Sequence, residues 1–553
     1  MITGLTERGP DGHARTRALA GLQLAAVTPA AVVEFVSHGR CLVIGAEQPA
    51  LQLVQALGTS LQCVVLVPGG FAPDVDRVDG TYVVRGGTPV IRGALGDFAV
   101  DLVGTGVNVR LGALLDPAVD RFDLVVDLCT PPRLQHAMLP LGYYAPGPDD
   151  DARAALLEIL PGMRGAFEKP KYFNYEPEIC AHGRSGKKGC TRCIDACPAQ
   201  AIVSIGEKVQ VNPYLCQGGG ACAMACPSGA MTYAYPTAGD LLAATRALLG
   251  DYRAAGGTSP CVLFHDAASA DALGADVVGA MPERILPVAI EEIGAVGMDT
   301  WLACLAYGAD AVVLLTCDST PPPVIEALQE QFAIARAILD GMGYAGDRLH
   351  LLNADQASAT RDALCSLPAG RAQPGATFVA PQADKRGTLR LALRHLQSSA
   401  PAAKRITALP PGAPFGEIRV DAGACTLCMS CVSACPTHAL QDGRGLPQLN
   451  FREWNCIQCG LCERTCPEDA ITLTARFLHD QELRERPRVL HEEQPVCCIG
   501  CGKPFATRAM LDKLSQKLEG HWMFQTDAAR RRLQMCEDCR VRDVFAAEAR
   551  KGR

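Results

Sequence analysis

The sequence predicts a multidomain protein in which α/β domains alternate with cysteine-rich α+β modules. The chain has 553 residues, enough for three or four domains that each bury a core. In two regions, short apolar runs of strand length alternate with helical patterns. Twenty of the 27 cysteines fall in three windows, 180–226, 425–466 and 497–539, which hold 7, 8 and 5 of them. Such clustering indicates metal ligands.

The two α/β regions are predicted from buried apolar strands. Near the N-terminus these strands are expected at 41–45, 63–67 and 124–128. In the middle of the chain they are expected at 261–265, 284–289, 311–316 and 348–352, with helices at 298–307 and 323–339. Both patterns are typical of Rossmann/flavodoxin-like domains. The turn at Gly45 lacks the later glycines of a dinucleotide-binding loop, so a scaffolding role competes with nucleotide or flavin binding there.

The composition suggests six segments. Pro-, Ala- and Gly-rich linkers at 367–376 and 400–416 flank a predicted helix at 385–397. The predicted segments are an α/β domain at 1–165, a cysteine-rich module at 168–236, an α/β domain at 259–365, a helix with linkers at 366–415, a second cysteine-rich module at 416–475 and a C-terminal segment at 490–553.

The second window holds a duplicated cysteine motif. Each copy has cysteines separated by two, two and three residues and ends in Cys-Pro, at Cys435-Pro436 and Cys466-Pro467. In this spacing three thiolates of one loop bind one [4Fe-4S] cluster, and the fourth cysteine binds the neighbouring cluster. The segment resembles a bacterial-type dicluster ferredoxin. The predicted ligand sets are Cys425, Cys428, Cys431 and Cys466 for one [4Fe-4S] cluster, and Cys435, Cys456, Cys459 and Cys462 for the other.

The first window departs from this pattern twice. Nine residues separate Cys180 from Cys190, and Gly219 stands where the second run needs its middle cysteine. The predicted sets are Cys180, Cys190, Cys193 and Cys226 for a [4Fe-4S] cluster, and Cys197, Cys216 and Cys222 for a second site. That second site is a [3Fe-4S] cluster, a [4Fe-4S] cluster with an open or non-cysteine iron, or a degenerate empty site. The retained cysteines favour an occupied one.

The loop inserted between Cys180 and Cys190 is rich in basic residues. Beside an anionic cluster these side chains dock an acidic partner or raise a reduction potential, and an ordinary solvated loop is the alternative. They are His182, Arg184, Lys187 and Lys188.

The third window predicts a zinc-knuckle-like segment. Two Cys-x2-Cys pairs, 34 residues apart and separated by a predicted helix at 507–518, have the form of a four-cysteine zinc site. A further iron-sulfur centre is the alternative. Cys497 is expected to be spare. The predicted zinc ligands are Cys498, Cys501, Cys536 and Cys539.

The domain at 259–365 resembles the hydrogenase iron-sulfur (delta) subunits. The resemblance lies in the runs beginning at Arg284 and at Gly308, the second of which ends in Thr316-Cys317. Members of that family carry a [2Fe-2S] cluster, but here only Cys261, Cys304 and Cys317 are available, so we expect the fold without its cluster. The whole chain is similar to multi-cluster ferredoxin-type proteins that accompany bacterial molybdenum formate dehydrogenases and hydrogenases.

The net charge of −7 argues against nucleic acid, and no run is apolar enough for a membrane span. So many metal-binding thiols indicate the reducing cytoplasm. We find no catalytic motif, and therefore predict an electron-transfer protein with three to four iron-sulfur clusters and one zinc, serving redox partners such as a formate dehydrogenase or a hydrogenase. A metalloenzyme maturation factor is the alternative, and the third hypothesis is a reductase subunit in which the open-iron cluster or a bound flavin does the chemistry.

Overall fold

The chain opens with a helix that packs against a distant part of the sequence. In the computed structural model, the described residues are 2–22, 28–104, 107–344, 348–367, 369–370, 374–381 and 384–551. Helix α1 (Pro10–Ala20) begins with a proline, which suits the first helical turn because no N–H partner is needed there. Glu283 accepts hydrogen bonds from the N–H groups of Gly9 and Gly12, each at 3.2 Å. This helix therefore ties the N-terminus to the middle of the chain.

The N-terminal unit contains a mixed sheet of eight strands. The first and last strands of the unit lie outside that sheet and pair with each other as a two-stranded ribbon. The elements, in chain order, are β1 (Val32–Ser37), β2 (Arg40–Ile44), α2 (Glu47–Leu57), β3 (Gln62–Val67), β4 (Gly69–Val78), β5 (Thr81–Arg92), β6 (Ala99–Gly104), β7 (Val107–Arg110), β8 (Leu124–Asp127), β9 (Tyr143–Tyr144), α3 (Asp150–Ile159) and β10 (Gly165–Pro170).

The strand order of this sheet is β7-β6-β5-β3-β2-β8-β9, with β4 also paired to β5. Strands from β5 to β9 along that order run parallel, whereas β4, β6 and β7 are antiparallel additions. Helices α2 and α3 cover one face. Strand β6 and the loops around Leu111 and Phe122 cover the other. β1 pairs with β10, which leads the chain into the first cysteine-rich module.

The first module is built of short hairpins and single-turn helices around its cysteines. Its elements are β11 (Phe173–Tyr175), β12 (Gly183–Arg184), β13 (Lys187–Lys188), α4 (Arg192–Asp195), β14 (Ile202–Ile205), β15 (Lys208–Val211), α5 (Ala221–Ala225) and β16 (Met231–Tyr233). β11 pairs with β16 and β14 with β15, both antiparallel.

Four parallel strands in the order β18-β17-β19-β20 form the middle domain. The elements are α6 (Ala238–Ala254), β17 (Cys261–His265), α7 (Ala267–Ala272), α8 (Ala275–Ala280), β18 (Ile285–Ala289), α9 (Met298–Ala306), β19 (Ala311–Thr316), α10 (Pro322–Gly341), β20 (Leu349–Asn353), α11 (Ala357–Ser366) and α12 (Lys385–Ser398).

Alternate residues of these strands enter two different cores. Val262 and Leu314 contribute to the core shared with α6, α9, α10 and α12. Leu263 and Val313 face the opposite core, which α8 and α11 complete. All four predicted strands of this domain are observed within two residues. The predicted linker at 367–376 lies partly outside the described residues, while the following helix is α12, packed on α9.

The second module repeats the plan of the first, and a small cysteine-containing unit follows it. The module contains β21 (Ile406–Ala408), β22 (Gly416–Val420), α13 (Ser430–Ala434), β23 (Leu440–Gly443), β24 (Leu446–Phe451), α14 (Leu461–Thr465), β25 (Ile471–Leu478), α15 (Gln481–Glu485) and β26 (Arg488–Glu492). The last unit contains β27 (Pro495–Cys497), β28 (Pro504–Thr507), α16 (Arg508–Leu518), α17 (Asp527–Arg532) and α18 (Glu537–Lys551).

The structure is therefore a mixed α/β assembly with two short-stranded cysteine-rich modules. The segment boundaries expected from composition stay predictions, although α1 and α12 both pack on the middle domain rather than standing apart. None of the described helices has the length and apolar composition that crossing a bilayer requires.

Candidate metal centres

Left-handed backbone residues wind the cysteine loops of the second module. Leu427 and Met429 have φ values of 54° and 61°, and Gln458 and Gly460 occupy the same two positions of the other loop at 52° and 77°. A non-glycine residue in this conformation costs on the order of 1 kcal/mol. Such strain persists only where the surroundings impose it, and it clusters at functional sites.

Each Cys-Pro cysteine accepts a backbone hydrogen bond on its sulfur. The N–H groups of Ala439 and Ala470 donate to Cys435 and Cys466 at 3.2 and 3.4 Å. In the first module, Ala201 and Met231 donate to Cys197 and Cys226, both at 3.3 Å. Donors aimed at sulfur stabilise a thiolate and tune the reduction potential of a cluster bound to it. The two modules share this device at all four sites.

The second module gathers its cysteines in the predicted sets. Burial, followed by the charges of Cys425, Cys428 and Cys466, raises the pKa of Cys431 to about 12. In the same way burial, Cys435 and Cys459 raise the pKa of Cys456 to about 12. Four partly buried thiolates repel one another unless a cation neutralises them, which suits iron. The sets brought together are Cys425, Cys428, Cys431 and Cys466, and Cys435, Cys456, Cys459 and Cys462.

The first module also gathers two sets. Burial and then the charges of Cys226, Cys190 and Cys180 raise the pKa of Cys193. The pKa of Cys222 is raised by burial and then by the thiols of the second set and of Cys193. The sets brought together are Cys180, Cys190, Cys193 and Cys226, and Cys197, Cys216 and Cys222.

The nine residues between Cys180 and Cys190 form a hairpin that returns the chain to Cys180. The N–H of Cys190 donates to the Ala181 carbonyl at 2.8 Å, and β12 pairs with β13 beyond it. His182 is buried, with its Nδ1 2.9 Å from the Cys190 carbonyl and its Nε2 2.7 Å from Ser204 Oγ. Its role here is therefore to hold the hairpin, which leaves the other three basic residues of the loop nearer the surface.

The loop around Gly219 keeps the winding of an intact cluster loop. Gly218 and Gly220 have φ values of 83° and 71°, at the positions that Gln458 and Gly460 occupy in the second module. Gly219 therefore stands at the structural position of Cys459. The loop has lost a thiolate without losing its conformation.

Cations from other parts of the chain approach the cysteine loops of both modules. Lys169, in β10, donates its Nζ to the Cys216 carbonyl at 2.7 Å, and burial lowers its pKa to about 8. Arg386, in α12, donates to the Trp454 carbonyl, and burial lowers its pKa to about 10, an effect that the Cys456 charge opposes. Neither residue could be found from the sequence, because neither lies within a cysteine motif of the chain.

The C-terminal unit brings four thiols close together. The sulfurs of Cys498, Cys501, Cys536 and Cys539 all lie within 4.8 Å of one another, and the Cys501 and Cys536 sulfurs are 3.7 Å apart. Tetrahedral zinc with Zn–S bonds of about 2.3 Å places its sulfurs about 3.8 Å apart. A four-iron cluster needs its thiolates farther apart because iron and sulfide lie between them. The spacing suits one metal ion.

Backbone donors also favour the ionised form of this site. Desolvation opposes ionisation, but N–H groups of Cys536, Gly500 and Cys501 lower the pKa of Cys498 to about 6. Thr507 Oγ1 donates to the Thr426 carbonyl at 3.1 Å, and Lys513 pairs with Glu468. The C-terminal unit therefore sits beside the Cys425 and Cys466 cluster loop.

The cysteines of the middle domain are spread over different cores. Cys261 and Cys317 pack into one face of the sheet, whereas Cys304 packs into the core of the other face. Burial raises the pKa of Cys261 to about 12. These thiols behave as small apolar side chains.

The two modules touch at their cysteine loops. Ala181, Ile457 and Leu461 form a buried apolar cluster, against which Cys190 of the first module and Cys459 of the second pack. A Cβ placed on Gly189 would lie 2.8 Å from Leu461 Cγ, so glycine is needed for this close approach. Burial, then the charges of Cys435 and Cys190, raises the pKa of Cys459 to about 11.

Comparison with known proteins supports this reading of the modules. Residues 424–471 and residues 187–230 each match a family described as a 4Fe-4S dicluster domain. The chain is similar to the ferredoxin-type protein NapF of Escherichia coli K12, at 42% identity over 45 residues. It is also similar to Ferredoxin-1 of Caulobacter vibrioides, at 44% identity over 50 residues.

These matches are local. They cover 8% of this chain and 27% of NapF, and 9% of this chain and 42% of Ferredoxin-1. The chain carries two 4Fe-4S dicluster ferredoxin domains, and these point to iron-sulfur electron transfer. The predictions of iron-sulfur cofactors and of redox partners in general are confirmed at this level.

Proposed function

We propose that this protein relays single electrons through four iron-sulfur clusters that lie in one line. The line runs from the Cys216 site to the Cys193 cluster, then to the Cys459 cluster and finally to the Cys431 cluster. The ligands are the four cysteine sets predicted from the motif spacing. A zinc ion at Cys498, Cys501, Cys536 and Cys539 closes the C-terminal unit and carries no electrons.

The contact between the modules is the observation that carries this proposal. Within the first module, Cys222 lies near Cys193, and within the second, Cys462 lies near Cys431. Between the modules, Cys190 and Cys459 flank one apolar cluster. Electron tunnelling falls steeply with distance, so a relay needs every neighbouring pair of clusters to be close. Two independent ferredoxin domains would need only the contacts within each module and not the contact between the modules.

The redox partners are proposed only as a class of enzyme. The resemblance of the middle domain to hydrogenase delta subunits supports a cytoplasmic hydrogenase or formate dehydrogenase as donor or acceptor. Its doubly wound strand order, β18-β17-β19-β20, is compatible with a flavodoxin-like scaffold. We propose that this domain and the N-terminal sheet hold the modules in place.

The contact between the modules provides the test. Leu461→Asp places a charge in the apolar cluster, and Leu446→Asp, at a residue 62% exposed in the same module, serves as the control. Anaerobically purified protein should contain about 16 iron atoms, and its reduced state should show magnetic interaction between clusters of different modules by electron paramagnetic resonance. Leu461→Asp should remove the interaction across the junction and keep the iron, whereas Leu446→Asp should change neither.

If Leu461→Asp also loses iron, Arg464→Ala separates the weakening of the junction from the loss of a cluster. It removes only a surface hydrogen bond to the Lys188 carbonyl of the first module. A wild-type protein whose modules show no magnetic interaction would refute the relay. Co-purification with an immature metalloenzyme, together with clusters that dithionite does not reduce, would favour the maturation factor instead.

A further inference from the structure

A methionine of the N-terminal unit lies beside the position where the side chain of the missing cysteine would begin. A Cβ placed on Gly219 would lie 3.5 Å from Met138 Cε and 3.7 Å from Met138 Sδ. Its nearest neighbour would be Pro198 Cγ, at 3.1 Å. Pro198 directly follows Cys197, one of the three cysteines of this site. The thioether therefore lies in van der Waals contact with the position where a side chain at residue 219 would begin.

The backbone fixes the methionine in this place. The N–H of Met138 donates to the Pro198 carbonyl at 3.1 Å, so the segment after β8 is tied to the Cys-Pro turn of the first module. Gly219 is itself buried, which leaves this side of the loop covered by protein. Met138 is partly buried at the contact.

The winding of the loop indicates what lies beyond the Cβ position. Gly218 and Gly220 reproduce the left-handed positions on either side of Cys459, whose thiol belongs to its cluster set. A side chain at position 219 would therefore point toward the iron that lacks a thiolate. Met138 approaches the same region from another domain.

The chemistry of a thioether suits this position. Sulfur donors are soft ligands that favour iron in clusters, and methionine is an established axial ligand of haem iron. Unlike a thiolate, a thioether is neutral, so it completes the coordination without adding a negative charge. The half-buried Lys169 next to Cys216 further lowers the negative charge of this site.

We propose that Met138 is the fourth protein ligand of the cluster held by Cys197, Cys216 and Cys222, so that the site is a [4Fe-4S] cluster closed by a thioether. This inference rests on the proposed function in one respect, namely that iron occupies the three-cysteine site. It decides among the alternatives that the sequence leaves open. It also gives the N-terminal unit a direct part in cofactor binding.

Met138→Leu tests the proposal, because leucine keeps the apolar volume and removes the sulfur. The readouts are iron per chain and the electron paramagnetic resonance spectrum of the oxidised protein. We expect wild type to have about 16 iron atoms and no oxidised [3Fe-4S] signal. Met138→Leu should lose about one iron atom and gain one [3Fe-4S] signal per chain. Met163→Leu, in the same unit, is the matched control and should behave as wild type.

Adding Gly219→Cys to Met138→Leu should restore the lost iron and abolish the signal. Gly219 has no left-handed φ, and only the Pro198 ring must give way slightly for a Cβ. His136→Gln tests the neighbouring histidine, whose buried Nδ1 has no hydrogen-bond partner among the described residues. It should leave both readouts unchanged.

The proposal is overturned if Met138→Leu matches wild type in both readouts, if wild type already shows the [3Fe-4S] signal, or if His136→Gln alone loses the iron. It is also overturned if wild type holds only about 12 iron atoms, because the site is then empty. The relay would fail differently, through loss of magnetic interaction at the Leu461 junction with all four sites filled.

Discussion

The two dicluster modules wind their cysteine loops in the same way but with different residues. The second module places Leu427, Met429 and Gln458 in left-handed conformations, while the Gly219 loop of the first uses Gly218 and Gly220. The Gly219 loop keeps its left-handed backbone conformation without stabilising contacts, because glycine adopts this conformation without a steric penalty. The other loops hold strained residues that packing and bound metal must stabilise.

The backbone conformation of a cluster loop and the number of its ligands are therefore separate properties. The first module has lost one thiolate and kept the winding, and its open corner is covered by Met138 from another domain. The equivalent corner of the second module is lined by Ala181, Ile457 and Leu461, and the nearby Cys190 belongs to another predicted cluster set. The same local loop therefore meets a methionine in one module, and in the other it meets apolar side chains and a cysteine assigned to a different cluster.

The largest effect should come from transferring the first module's defect to the second. Cys459→Gly leaves three thiolates in a corner lined by apolar side chains, so the loss of the whole cluster, about four iron atoms, is expected. Iron and sulfide analysis after anaerobic purification measures it. Cys497→Ala, at an exposed cysteine outside every predicted set, should keep all iron. Full retention of iron in Cys459→Gly would mean that water or an unsuspected residue replaces the thiolate there.

The next effect compares two equivalent glycines. A Cβ on Gly220 would lie 2.4 Å from the Ala295 nitrogen, whereas a Cβ on Gly460 would meet only Arg464 Nε, at 3.9 Å. Gly220→Ala must move the first module away from the middle domain and should destabilise it by several kcal/mol, roughly the cost of a severe core clash. Gly460→Ala adds only backbone strain, about 1 kcal/mol.

Denaturant unfolding of the two glycine variants, followed by cluster absorbance, gives both values. Equal destabilisation by the two substitutions would show that the contact of Gly220 with Ala295 is unimportant.

A smaller effect concerns the cations that approach each module. Arg386→Met removes a positive charge beside the Cys456 loop, which should make its cluster harder to reduce by on the order of 50 mV, or about 1 kcal/mol. Lys169→Met should do the same at the Cys216 site. Potentiometric titration followed by electron paramagnetic resonance measures each shift. Arg390→Met, one turn along the same helix and paired with Glu485, should leave all the potentials unchanged.

The smallest effect is the part of the pH dependence of stability that arises at His479, in the second module. Burial, followed by the charges of Arg484 and Lys404, lowers the pKa of His479 to about 4. In the unfolded chain His479 takes up a proton near pH 6.5, whereas in the folded module it stays neutral down to about pH 4. The contribution of His479 to the unfolding free energy is therefore complete above pH 6.5 and falls below it. Lowering the pH from 7.5 to 5.5 should cost about 1 kcal/mol of unfolding free energy.

His479→Gln should abolish this part of the pH dependence, as measured by urea unfolding at both pH values. The neutral ring hydrogen-bonds Thr407 and Gln397, and glutamine keeps a polar group there without a proton to gain. An unchanged slope in the variant would assign the pH dependence to other groups.

Much of the candidate chemistry could be predicted from the sequence because it is local. The spacing of Cys425, Cys428 and Cys431 already fixes how one loop can present three sulfurs to one cluster. The buried strands of the middle domain were predicted within two residues, since continuous apolar runs of that length form parallel strands covered on both faces. The four C-terminal thiols named from the sequence lie within 4.8 Å of one another, and their zinc stays a prediction.

The contacts between distant segments could not be predicted in this way. No feature of the 131–140 segment marks Met138 as a neighbour of Gly219, and nothing near Arg386 suggests a cluster. The basic hairpin shows the same limit, because His182 reads as a surface cation in sequence but is 2% exposed in the structure.

The spacing of neighbouring residues in the sequence predicts the cysteine sets and the alternation of domains, and it already shows that a thiolate is missing at Gly219. The folded structure was needed to show that the Cys190 and Cys459 loops meet across Leu461, and that the Met138 thioether lies beside Gly219. Those arrangements depend on how separately folded units pack, and packing is set by the shape of whole surfaces rather than by any local pattern.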